Sequence, residues 1–125
     1  MKIGQSVWHA KRKLVENATI PEFEKPVKYT IKPNYLTIMP ASTRGYLEVV
    51  KYGEDVENTW TGIANYIAFE NIFSVGDVMW VDGEQPDVET ENQYGYGCTA
   101  NAVITSALPV NRSISLTLKT NKRQV

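Results

Sequence analysis

Cysteine and histidine are almost missing from this chain: Cys98 and His9 are the sole examples of each. A single cysteine excludes an intrachain disulfide, and one of each excludes a zinc site built from several thiolates and imidazoles. A Cys/His nucleophile pair would require His9 and Cys98 to meet in space, and no third residue offers itself to orient them. Long hydrophobic runs are missing too. No segment reaches the ~20 apolar residues of a membrane-spanning helix. The opening residues Met1, Lys2, Ile3, Gly4, Gln5 and Ser6 lack the apolar run of a secretory signal. The expectation is a protein made and kept in a cytoplasm-like environment, without membrane contact. No repeat, low-complexity tract, normal-length helical pattern or phosphate-cradling glycine loop before a helix is evident either.

What remains is an ordinary globular composition. The chain has 125 residues, of which 42% are hydrophobic and 22% charged. That length predicts one domain over residues 1–125, large enough to bury a core without covalent staples. The net charge of −1 hides a strong polarity along the chain. Residues 1–51 carry nine basic side chains against four acidic ones, residues 52–97 carry ten acidic and no basic, and residues 98–125 carry four basic. Such segments can place unlike charges on opposite faces, or interleave and pair locally.

The stretch that organises the rest is 74–83. Gly76-Asp77 reads as a tight turn and Asp82-Gly83 as the punctuation that ends the strand between them. Val78 and Trp80 should point to one side, Met79 and Val81 to the other, so both sides are apolar. A strand of that kind lies inside a closed or layered sheet, or has one face against another chain.

Elsewhere the signals are again those of strands. Residues 6–14 fit a strand with Trp8, Ala10 and Leu14 on one face, His9, Lys11 and Lys13 on the other and Arg12 off-pattern, or a short helix grouping Val7, Ala10 and Leu14; the β-rich remainder favours the strand. Residues 27–32 alternate with Val27, Tyr29 and Ile31 inward, and Pro33 marks an edge strand or a bulge. The extended run 35–39 stops at Pro40. Strands are also expected over 46–52 and 60–67, with Gly62 a bulge. Phe69, Ile72 and Phe73 fit one helical turn plugging a barrel end. Residues 101–107 and 113–119 form the best hairpin, turning at 109–112, with Ile114, Leu116 and Leu118 facing inward. About seven short strands with regular turn signals and long loops predict an all-β, single-domain small barrel or open sandwich.

Catalytic and cofactor chemistry is poorly supplied. The acidic run Asp82, Glu84, Asp87, Glu89 and Glu91 lacks the spacing of a calcium loop and reads as solvated charge. No metal, no cofactor and no enzymatic activity are expected. Binding of single-stranded nucleic acid by an OB-like barrel is the alternative, with Trp8, Tyr29, Tyr35 and Tyr46 near basic residues as stacking platforms. The wholly acidic central third opposes it by repelling phosphate.

Four features taken together resemble one family. They are Trp8 with Lys11, Arg12 and Lys13 in the first strand, the extended segment ending at Pro40, Gly76-Asp77 with Asp82-Gly83, and the final hairpin. In order and length these elements look like the small head-closure proteins of the head-tail connector of tailed bacteriophages and prophages. The resemblance implies a β-barrel that forms a ring with copies of itself beneath the portal and its adaptor. It also implies contact with tail-completion proteins and passing double-stranded DNA, and a place in the virion. The candidate subunit interface is Lys11, Arg12 and Lys13 of one copy against Glu84, Asp87, Glu89 and Glu91 of the next. Ser42, Thr43 and Arg44 form a candidate channel loop, with the segment 84–97 as its rival.

Overall fold

Apolar residues on both sides of one short strand set the architecture. In the computed structural model, which describes residues 3–13, 22–40, 59–86 and 99–120, that strand is β7 (Val78–Trp80). Val78 and Trp80 pack with Ala10 and Ala100, and with half-buried Trp8, Phe23 and Val103, on one face of the sheet. Met79 and Val81 join the main core on the other face, among Val7, Phe69, Ile104, Leu116 and Leu118. Both faces are therefore covered, as the pattern predicts. Each large side chain buried in this way contributes about 1.5–3 kcal/mol.

The other elements are β1 (Ser6–Ala10), β2 (Arg12–Lys13), β3 (Glu22–Phe23), β4 (Val27–Thr30), β5 (Leu36–Pro40), β6 (Thr59–Asn65), helix α1 (Tyr66–Phe69), β8 (Ala102–Val110) and β9 (Ser113–Thr120). Seven of the strands form one sheet in the order β4-β1-β7-β8-β9-β6-β5, and β2 pairs with β3 separately. Every neighbouring pair in the large sheet is antiparallel. The fold is all-β, with one α-helical turn among the described residues.

The sheet is strongly curled, and among the described residues it does not close into a barrel. β1 and β5 lie five strand positions apart, which would separate them by roughly 24 Å in a flat sheet. Yet Val7 of β1 and Ile38 of β5 line the same cavity of about 170 Å³. The edge strands β4 and β5 are consecutive in the chain, and a short loop with Asn34 at φ 61° joins them. Among the described residues this connection carries one isolated antiparallel bridge, between Lys32 and Leu36. Among the described residues no ladder continues from it. Pro33 follows an edge strand, as its missing N–H requires.

Four sequence expectations are corrected. Gly62 is not bulged: β6 keeps one register with both neighbours. The residue is small because a Cβ there would lie 2.8 Å from the Thr37 carbonyl oxygen and 3.0 Å from Ile38 Cγ1. The bulge falls in β8, between Ile104 and Ser106. β8 also runs through Pro109 to Val110, so the hairpin turns at Asn111 and Arg112 alone, with Asn111 at φ 57°. Proline is tolerated there because β7 pairs with β8 only at Ala102 and Val103, leaving the outer side of Pro109 without a strand among the described residues. Third, the helical turn starts at Tyr66, where Asn65 Oδ1 accepts from the Ile67 and Ala68 amides at 3.0 and 3.2 Å. Phe69 and Phe73 do enter the core, their rings stacked 5.0 Å apart. Lastly, His9 is buried rather than grouped with a polar face. The strand expected over 46–52 and Leu14 lie outside the described residues.

Candidate functional site

The turn before β7 builds a buried polar knot. Gly76, at φ 96°, takes the positive-φ position that lets the Asp77 amide bond to the Ser74 carbonyl at 3.1 Å. This aims the Asp77 side chain back under the turn. Its Oδ2 accepts from the Ser74 amide at 3.0 Å and lies 2.8 Å from His9 Nε2. Its Oδ1 accepts the Arg12 amide at 3.0 Å. Burial alone would raise the Asp77 pKa. The hydrogen bond from His9, the Arg12 amide, the His9 charge and the Ser74 amide together outweigh it and hold the carboxyl below its ordinary value. An ionised carboxylate only accepts, so His9 Nε2 carries the shared proton.

The backbone extends the knot. The Asp77 carbonyl accepts from Ile104, and the Gly76 amide donates to the Ile104 carbonyl. The edge of Phe73 packs on the His9 ring, with centroids 4.8 Å apart. One aspartate thus ties β1, the 74–77 turn and β8 together. Chemically it is an oriented acid–base pair, but both groups are buried. Among the described residues no group of three or more His, Cys, Asp or Glu side chains comes together as a metal site. Cys98 lies outside the described residues.

The basic run 11–13 is divided by this arrangement. Lys11 turns back on the chain, its Nζ donating to the Asn71 and Ile72 carbonyls at 2.7 and 3.2 Å. Arg12 and Lys13 are exposed in β2, opposite Phe23 and Glu22 of β3. Local pairing therefore accounts for part of the charge. Glu84 is exposed at the end of a turn in which Asp82 and Gly83 both take positive φ, and its amide donates to the Val81 carbonyl at 3.2 Å. Asp87, Glu89 and Glu91, like Ser42, Thr43 and Arg44, lie outside the described residues.

The surface holds a second feature, produced by the β8 bulge. Ile104 faces the core, and strict alternation would send Leu108 and Val110 after it. The extra residue, Thr105, reverses the phase, so Ser106, Leu108 and Val110 pair with Thr117, Ser115 and Ser113 on the outer face. Leu108 is 60% exposed and Val110 52%. Ile63 of β6, paired with Ser115 from the other side, is 47% exposed. Val110 and Ile63 wall a shallow trough floored by Ser113 and Ser115. The sequence reading missed this face because Pro109 looked like a turn; the apolar Leu108 and Val110 on either side of it were the available signal.

Comparison with protein families, with curated proteins and with solved structures returned no match to this chain.

Proposed function

We propose that this chain is a non-catalytic assembly subunit of the head-closure kind, forming a ring below a phage portal and its adaptor. In that role it closes the DNA channel, supports tail attachment and resides in the virion. The observation that supports this reading is the outer face of the β8–β9 hairpin, where Leu108, Val110 and Ile63 flank small serine side chains. Clustered exposed apolar side chains with a polar surround are what a protein contact needs at its centre. In a ring, each copy presents one face to a different face of the next. Exposed Arg12 and Lys13 and exposed Glu84 are then the charged groups free to set orientation.

Sedimentation tests the reading directly. The purified chain is expected to run as a monomer or small oligomer and to assemble into a ring when a portal–adaptor complex is added. Replacing Leu108 and Val110 by serine is expected to prevent that assembly. Tight binding of single-stranded DNA at physiological salt, with no response to portal complexes, would establish the OB-like reading instead.

A further inference from the structure

The serine floor of the hairpin face is a furrow between two apolar ridges. Register sets Leu108 beside Ser115 and Val110 beside Ser113 across β8 and β9, and Ile63 beside Ser115 from the β6 side. Paired side chains share one face of a sheet, so small residues run down β9 with larger apolar ones on either hand. The space above Ser113 and Ser115, between Val110 and Ile63, is about 340 Å³. That is roughly ten times the ~30 Å³ share of one water in the liquid, and it admits a branched side chain.

The face is also self-complementary. Each apolar knob, Leu108 or Val110, stands at the same level along the strands as the serine next to it. A two-fold axis parallel to the strands, in the plane between two such faces and midway between β8 and β9, therefore sets Leu108 of each copy over Ser115 of the other, and Val110 over Ser113. Sheets packed face to face keep their strands within about 30° at a separation of about 10 Å. The same operation carries Ile63 of the second copy past the outer side of β8. β7 leaves β8 after Val103, and among the described residues no strand lies beside Ser106 to Val110 on that side. Among the described residues the part of the face between the turn and Thr117 carries no charge, so no like charges meet at its centre. Arg112, in the turn, stays at the exposed rim.

We infer that the free chain pairs with a second copy of itself through this face, as a two-fold dimer in which Leu108 of each copy sits in the furrow of the other. Knob and furrow lie side by side on one surface, which is the condition for a contact made by the same patch on both partners. The inference rests on the contact role proposed above for this face and adds its control. A seated Leu108 cannot also meet a neighbour in a ring, so the dimer holds the subunit in reserve until a portal–adaptor complex displaces the second copy.

Sedimentation equilibrium of the full chain, with no portal present, is the test. A dimer and nothing larger is expected at about 0.1 mM chain, the weak association that a small interface implies. Leu108→Ala removes the knob and Ser115→Leu fills the furrow. Each variant alone is expected to raise the dimer dissociation constant about tenfold or more. An equimolar mixture of the two is expected to recover the parent constant to within about threefold, because one seat then keeps the parent pair and the other carries its large and small side chains exchanged. Variants that had merely misfolded would not recover on mixing. A chain still monomeric at about 1 mM, an open-ended series of oligomers, or a mixture no more associated than either variant overturns the inference. The two readings fail separately: a monomer that assembles on the portal complex overturns the dimer alone, and a dimer that ignores the portal complex overturns the ring, and with it the reserve role, while leaving the pairing intact.

Discussion

The two ends of β8 are built on opposite principles. Near Ile104 the strand is fastened into the 74–77 turn, and Asp77 there collects two backbone amides and the His9 ring in a buried setting. Past Thr105 the same strand has β9 alone beside it among the described residues, and shows solvent two large apolar side chains. At the first end both oxygens of the buried Asp77 carboxylate are bonded, as a low-dielectric interior demands. The second end leaves its surface uncommitted. Under the assembly role proposed above, a well-bonded anchor beside an exposed apolar face would leave little conformational entropy to lose on docking.

The contrast can be broken first at the anchor. Asp77→Ala strands the Arg12 and Ser74 amides and the His9 ring, and is expected to cost about 3–5 kcal/mol in urea unfolding. A loss below ~1 kcal/mol would show that the knot is not what holds this end. Acid sharpens the same point. Because the folded state holds the Asp77 pKa below its ordinary value of 3.8, its contribution is present above that value and is lost as pH falls through the lower, folded value. Unfolding midpoints of the parent chain are therefore expected to fall more steeply below pH 3.8 than those of Asp77→Asn.

Smaller effects follow away from the knot. Gly62→Ala forces a methyl against the Thr37 carbonyl and Ile38, and is expected to cost about 1–3 kcal/mol by overpacking. Asn65→Ala removes the cap that holds the first turn of α1, at about 1 kcal/mol. At the other extreme, the pair Leu108→Ser and Val110→Ser is expected to change stability by no more than about 0.5 kcal/mol while abolishing assembly. Calorimetry together with sedimentation checks both halves of that statement. A large stability loss from the pair would mean that the hairpin face belongs to the core.

Much of the fold was legible in the sequence, because period-2 alternation reports directly on which face is buried. The opposed pairs Val78/Trp80 and Met79/Val81, and the inward run Ile114, Leu116 and Leu118, were read correctly for that reason. Pro33 left an edge strand or a bulge open, and among the described residues β4 stands at the sheet edge. What failed were positions where one distant group decides the outcome. His9 looks polar beside Lys11 until Asp77, 68 residues away, supplies its partner. Gly62 looks like an irregularity until the Thr37 carbonyl takes up the space a side chain would fill. The phase reversal in β8 was illegible because no residue type marks an extra position in a strand. No local pattern announces that Lys11 reaches the carbonyls of the 71–72 turn, 60 residues on.

The bulge at Thr105 also decides the register of the whole hairpin. Were Thr105 itself to stand opposite Thr117, the ladder would slip by one residue, setting Leu108 against Ile114 on the inner face and lengthening the turn beyond Asn111 and Arg112. The tight two-residue turn and the bulge are thus two halves of one choice, and a residue inserted into the turn is expected to compete with the bulge and carry Leu108 inward.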